Sequence, residues 1–456
     1  MHSRIRSTSL LVLGLCALTA CQSYDPMPLD EAGAISAWRA RDHKSADVAE
    51  FARQLQQRGL EPRGPYNTAD GIELHEAEVL ALFFNPALRT ARLAARAELD
   101  GAREAGRWED PSLSVEAGWI LGNTPSPWII GASIEFTIPL SGRPGVEQDL
   151  AFAQHEVKRR EVVALEWSVL EGLRKSWREL AVAQAHVALL DEHIARVQDV
   201  DALARELAAA GELSRGDARM VQIELVTSTA ARMQADAKAQ SLQLDVLEWM
   251  GLHPRAPVKL LPGLAADAAK PDELRLRADN PLLGLKRAEY EVSEQRLRLE
   301  VRKQFPDLHI GPGYELEDGQ SKITLAFGIP IPLINLNKEG IARARGERAA
   351  ACAAFEGELE GQLHRLARAE QARRAAELRF ALLQGEIAPL VDEHLTETLK
   401  LAKLGEFDAM RLTEALSSRL EAQLQLLQAK ADQAAANDEL LMAHGPSFKP
   451  EPVPEE

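Results

Sequence analysis

The side chains best placed to act on a solute are carboxylates at alternate positions of short, otherwise apolar segments. Glu116, Glu135, His309 and Glu315 fall on the polar side of such segments, with Lys322 opposing them. Carboxylates gathered in a confined space concentrate cations through their field. A second acidic set, Glu212, Asp217, Glu406 and Asp408, stands at two Gly-Glu turns, where it can form acidic rings or cap helices. Nothing here points to bond-making chemistry. The chain contains no G-x-S-x-G, H-E-x-x-H or Walker A pattern. Its 11 histidines are scattered; His186 and His193, near Asp191 and Glu192, read as a solvated helix face rather than a metal site. No enzymatic activity, cofactor or resident metal is expected.

Composition narrows the partners. The 456 residues carry 53 Lys and Arg against 69 Asp and Glu, a formal net charge of −16. A nucleic-acid binder needs a basic face, so that class is excluded. Aromatics are 5% while Ala, Leu, Glu, Arg and Gln abound, which favours long helices. No run of 18 apolar residues offers a transmembrane helix. Residues 1–20 read as a secretory signal, with Arg4 and Arg6 ahead of a short apolar run. Leu18-Thr19-Ala20-Cys21 resembles the lipobox of bacterial lipoproteins, which implies lipidation of Cys21. Gln22 after it implies sorting to the outer membrane. Cys352, left without a disulfide partner and set among alanines, is expected to pack as a small hydrophobe. Residues 21–70 read as a lipid-anchored linker, and the proline-rich acidic stretch 446–456 as a disordered tail.

The positioning elements are doubled. Asn85-Pro86 recurs as Asn280-Pro281, Pro111-Ser112-Leu113 as Pro306-Asp307-Leu308, Ile138-Pro139-Leu140 as Ile331-Pro332-Leu333, Gly211-Glu212 as Gly405-Glu406, and Gly251 as Gly445, each about 195 residues on. Two copies of one unit are therefore expected, 71–251 and 272–445, joined by a linker at 252–271. Each copy reads helix, strand, strand, long helix, tight turn, helix. In the first copy the helices are expected at 71–108, 145–210 and 214–250, the last opened by Ser214 with Asp217 three residues on. The long helices, 145–210 and about 339–403, reach roughly 95–100 Å at 1.5 Å per residue. Pro389 is expected to bend the second, whereas the matching place near Ala195 has no proline.

Four segments alternate with period two: 112–122, 128–140, 308–316 and 323–333. Leu113, Val115, Ala117 and Trp119, then Trp128, Ile130, Ala132, Ile134, Phe136 and Ile138, share apolar sides; Leu308, Ile310, Tyr314 and Leu316, then Ile323, Leu325, Phe327, Ile329 and Ile331, repeat the pattern. Ten to twelve residues, apolar on one side and small or polar on the other, are the pattern of transmembrane β-strands. Trp119, Trp128 and Tyr314 are candidates for the membrane interface. Four strands leave two open edges, which lipid does not tolerate, so 8, 12 or 16 strands from several copies are needed for closure.

The Asn-Pro pairs, the Pro-x-Leu strand starts, the long helices, the Gly-Glu turns and the lipobox together resemble outer-membrane efflux proteins of the TolC type. The resemblance covers about 71–445. It implies a mainly α fold with a small membrane β portion: a homotrimer with a 12-stranded barrel in the outer membrane and a 12-helix periplasmic tunnel. It further implies a passive exit duct, working with a periplasmic membrane-fusion adaptor and an inner-membrane pump of the resistance-nodulation-division type, and places the Gly211 and Gly405 turns at the docking and gating tip. Residues 329–344, IPIPLINLNKEGIARA, are similar to a pattern of the heavy-metal cation branch, with Glu339 where that pattern has glycine. Drug efflux and type I protein secretion share this architecture. A reading from another class is a lipidated periplasmic coiled-coil adaptor or scaffold, which would carry one helical hairpin rather than two.

Overall fold

A computed structural model describes residues 24–57, 66–122, 124–264, 271–332 and 334–445. The expected signal 1–20, Cys21, Leu333 and the tail 446–456 lie outside the described residues. The chain divides into two units, Met1–Asp42 and His43–Glu456. The first contains helix α1 (Glu31–Arg39), capped by Asp30, whose carboxylate accepts from the Gly33 amide at 2.8 Å.

The second unit opens with α2 (Ala46–Gln57), inside the stretch read as a linker. Val48, Ala52 and Leu55 lie one or two turns apart on one face, and all three are buried. The Tyr66 hydroxyl donates to the His43 carbonyl at 2.6 Å, returning the chain to the start of this helix. Then follow α3 (Leu74–Phe84), α4 (Pro86–Glu104), β1 (Ser112–Trp119), β2 (Trp128–Ile138), α5 (Arg143–Ala210) and α6 (Arg215–Trp249). After 264 come α7 (Glu273–Asp279), α8 (Pro281–Arg302), β3 (Leu308–Glu317), β4 (Gln320–Gly328), α9 (Lys338–Leu382), a π-turn (Leu383–Ile387), α10 (Ala388–Lys403) and α11 (Ala409–His444). The same order of elements runs through each half.

The helix expected over 71–108 is two helices, because Asn85 breaks it. Its side chain accepts from the amides of Ala87 and Leu88, with Pro86 in the first helical position, where a missing N–H costs nothing. Asn280 caps α8 identically through Leu282 and Leu283. The remaining amide of each asparagine reaches the end of its own half. Asn85 Nδ2 donates to Trp249 O at 3.4 Å, and Asn280 Nδ2 to Ala443 O at 2.8 Å. Each Asn-Pro pair thus starts one helix and staples it to the end of the last one.

Where a bend was expected at Pro389, the five residues before α10 wind as a π-turn. A proline has no N–H for the carbonyl four residues back, and a wider turn accommodates that missing bond. Helix α5 has no such interruption over its 68 residues, about 100 Å. The segment 252–264 is more than a tether. Ile72 exchanges backbone bonds with Lys259 and Leu261, both 2.8 Å, and Leu252 is buried.

The largest core gathers α2, α3, α4, α5 and α6 around Leu80, Leu88, Leu173, Trp177 and Met250. A second core binds both halves at the helix turns: Val197, Val200 and Ala204 of α5, Val221 of α6, Leu395 and Ala402 of α10, and Leu412, Ala415 and Leu416 of α11. The strands form one antiparallel sheet in the order β1-β2-β3-β4, so β2 and β3 join the halves and β1 and β4 are edges. The strands are shorter than expected at several ends. Strand β4 stops at Gly328, ahead of Pro330 and Pro332.

Candidate functional site

The sheet has two unlike faces. Register places Leu113 opposite Ile134, Val115 opposite Ala132, Phe136 opposite Ile310, Tyr314 opposite Ile323 and Ile310 opposite Phe327, so one apolar face crosses all four strands. It is open to the surroundings: Val115 is 70% exposed, Phe327 67% and Ile323 91%. At its far end Trp119 faces Trp128 in register, their rings edge-to-face at 4.6 Å. Thr124 hydroxyl bonds the Asp318 carboxylate there, tying the β1–β2 loop to the β3–β4 turn.

The opposite face gathers Glu116, Glu135, His309 and Glu315. Glu116, Gly131, Glu315 and Lys322 form one row across the four strands. Gly131 leaves an open place between the two glutamates: a Cβ there would lie 3.8 Å from that of Glu116 and 3.9 Å from Glu315 Cγ. Glu135 lies 3.3 Å from His309 Nδ1, with the Thr137 hydroxyl 3.4 Å away. Lys322 forms its ion pair with Glu317, a residue beyond the expected end of β3. The missed signal was Asp318-Gly319, which turns the chain at positive φ and lets β3 run on to Glu317. The face thus presents four carboxylates and one lysine.

The second acidic set stands on the two helix turns. Gly211 and Gly405 take φ of 78° and 94°, where only glycine is unstrained. The amides of Glu212 and Glu406 then close back on Leu207 O and Leu401 O at 2.9 and 3.0 Å. Asp217 and Asp408 are committed to helix starts. Ser214 Oγ accepts from the Asp217 amide at 3.1 Å and donates to its carboxylate at 2.7 Å, while Asp408 accepts from the Arg411 amide at 3.1 Å. Glu212 and Glu406 are exposed. Leu213 and Phe407 pack into the shared core beneath, which brings the turns of both halves together.

Ionic ties join the halves along the helices. Arg419 of α11 holds Glu192 of α5 at 3.0 Å and Asp392 of α10 at 2.8 Å. Arg365 of α9 holds Glu171 of α5 at 2.6 Å and Glu439 of α11 at 2.8 Å. The hydrogen bond from Arg196, with the charge of Arg419 beside it, keeps Glu192 below the usual carboxylate range.

Two expectations are corrected. Cys352 is exposed, its Sγ 3.7 Å from Glu356 Oε1 in the next turn of α9. His193 is not on a solvated face; it is buried, with Nε2 3.3 Å from Glu224 Oε1. His186 instead lines a cavity of about 400 Å³ with Arg178, Glu179 and Lys238. Burial, then the charge of Lys238, pushes its pKa down. Among the described residues no cluster of three or more His, Cys, Asp or Glu could hold a metal. No described helix is long and apolar enough to cross a membrane.

Long helical hairpins built on a four-stranded antiparallel sheet define a known class of fold. No family model matches the sequence, and no curated protein matches it. Solved structures do match. The outer-membrane channel OprN superposes with a TM-score of 0.71 at 16% identity over 94% of this chain and 99% of its own. The outer membrane protein VceC from Vibrio cholerae gives 0.71 at 16% identity, covering 82% and 97%. The CmeC outer membrane channel of Campylobacter jejuni gives 0.71 at 14%, covering 84% and 88%. The chain shares the fold of these outer-membrane proteins.

Proposed function

We propose that the chain is the outer-membrane exit duct of a tripartite efflux system. The observation that carries this reading is the sheet: one continuous exposed apolar face, an acidic opposite face and two open edges. Strand β2, 11 residues long, spans about 28 Å when tilted near 40°, close to the ~25 Å apolar band of outer-membrane barrels. The doubled element order is read as two copies of one unit. Three chains supply 12 strands and 12 helix columns, making a barrel that continues as a periplasmic tunnel. Cys21 carries the lipid. A periplasmic adaptor and an inner-membrane pump of the resistance-nodulation-division type work with it at the Gly211 and Gly405 tip. The fold shared with the OprN and CmeC channels supports the same reading.

The favoured cargo is heavy-metal cations, because Glu116, Glu135, Glu315 and Glu317 share one face with a single lysine. The duct itself does no covalent chemistry. A strain lacking the gene, challenged below lethal concentrations, is expected to accumulate one or two of copper, silver, zinc, cobalt, nickel or cadmium against its parent. Unchanged metals with raised drug sensitivity would replace the cargo and keep the duct. Unchanged metals, drugs and secreted proteins, with a chain that carbonate strips from membranes, would remove the duct reading altogether.

A further inference from the structure

The four strands contain one histidine. His309 is the second residue of β3, at the end of the sheet nearest α8, and alternation puts it on the polar face with Glu135, Thr137 and Glu315. Its Nδ1 lies 3.3 Å from Glu135 Oε1, with Thr137 Oγ1 at 3.4 Å. A carboxylate only accepts, so in the neutral ring it holds the proton on Nδ1 and leaves Nε2 as a lone pair. Among the described residues nothing bonds that Nε2.

The neighbours keep the ring clear. Register sets Thr137 on one side of His309 and Gly328 on the other, and Gly311 follows two residues on along the same face. A Cβ at Gly328 would lie 3.6 Å from His309 Cβ, so any larger residue there would stand against the imidazole. The remaining carboxylates are elsewhere. Glu116 and Glu315 share a row six residues along β3, about 20 Å away, and Lys322 beside them is held by Glu317. Their oxygens suit hard cations, whereas an imidazole nitrogen suits Zn²⁺, Cu²⁺ and Ni²⁺. A metal-binding histidine ordinarily donates its other N–H to a carboxylate, which orients the ring and raises its basicity. The Glu135–His309 pair has that form.

We infer that His309 Nε2 is a passing station for borderline divalent cations, with Glu135 as its positioning residue. This deepens the proposed cargo and rests on the membrane-duct reading, in which the polar face lines the conduit. One imidazole, with water completing the metal's shell, binds loosely. A conduit needs that, because an ion must be held strongly enough to enter and weakly enough to leave. Such a station requires no cluster of three ligands, and none stands among the described residues. Its place at the helix end of the sheet means that cargo arriving along the helices meets His309 before Glu116 and Glu315. The imidazole selects among cations, and the carboxylates beyond it attract them without distinction.

The test uses the full chain in detergent with Cys352→Ser and a nitroxide on Ser133→Cys, two rows from His309 on the same face. Ni²⁺ alone is the probe, and its binding at His309 shortens the relaxation time of the nitroxide. Half-saturation should need at least tenfold more Ni²⁺ in His309→Ala and about tenfold more in Glu135→Ala, the effect of removing a carboxylate behind a metal-bound histidine. His309→Asp keeps an oxygen ligand and should lose the parent's preference for Ni²⁺ over Mg²⁺. Unchanged half-saturation in His309→Ala, or Mg²⁺ competing as well as Ni²⁺ in the parent, overturns the station; the duct then stands if carbonate leaves the parent in membranes. Binding by Glu135→Ala at the parent's half-saturation overturns its positioning role. A parent that carbonate strips from membranes overturns the duct, and with it the station's part in cargo passage.

Discussion

At the scale of single residues, the tip acids divide by what already holds them. Asp217 and Asp408 serve helix starts, so Ser214→Ala or Asp408→Ala should each cost about 1 kcal/mol of stability, read as a lower melting midpoint. Glu212 and Glu406 cap nothing. Their replacement by Gln should leave melting unchanged and lower cation preference in bilayer recordings; unchanged selectivity would remove them from any conduit. His444 offers a pH test. It is buried, and its Nε2 accepts from the Asp272 amide at 2.8 Å, which requires the neutral ring. Burial first, then the charge of Arg275, lowers its pKa, with Asp272 opposing. A histidine lowered in the folded state contributes fully above the unfolded value near 6.5, and the contribution is lost as pH falls below it. His186 is shifted the same way. Melting between pH 7.5 and 5.5 should therefore fall with acid. His444→Gln, which keeps an acceptor, should flatten part of that slope.

At the scale of elements, the two long columns tolerate different faults. Helix α5 is continuous past Ala195, so Ala195→Pro should cost roughly 3 kcal/mol or more. Pro389→Ala should cost far less, because the π-turn before it already absorbs the irregularity. Comparing both variants by chemical unfolding checks this; equal losses would mean the π-turn has another cause. Helix contact is tight at Gly172, where a Cβ would meet the Trp249 ring at 2.4 Å. Gly172→Ala should destabilise by about 1–3 kcal/mol through overpacking, read in the same unfolding series. Asn280→Ala removes a helix cap and the buried donor to Ala443 O together, and should cost about 2 kcal/mol.

At the scale of the whole molecule, the exposed apolar sheet face decides solubility. A patch crossing four strands is far larger than the scattered exposed side chains a soluble monomer carries. Glu116→Gln with Glu315→Gln should lower cation over anion permeability while leaving assembly intact, since neither residue lies on the apolar face. Single-channel reversal potentials in a salt gradient measure this. A loss of assembly instead would assign those carboxylates to structure.

Much of this was legible because it is periodic or local. Alternation in 128–138, the proline-free run 143–210, the capping pattern at Ser214 and the doubled landmarks each depend on neighbours within a turn or on a comparison of one stretch with another. The sequence by itself therefore determined where the long helices and strands lie and which sheet face is acidic. Tertiary structure alone decided the rest. The helix 46–57 became core because Val48, Ala52 and Leu55 meet the first long bundle, not because of any strong local signal. His193 is buried and Cys352 exposed because neighbouring helices cover one face and not the other. Arg365 and Arg419 meet carboxylates up to 227 residues away, which no local pattern encodes. The pairing of β2 with β3 joins the halves and leaves β1 and β4 as edges.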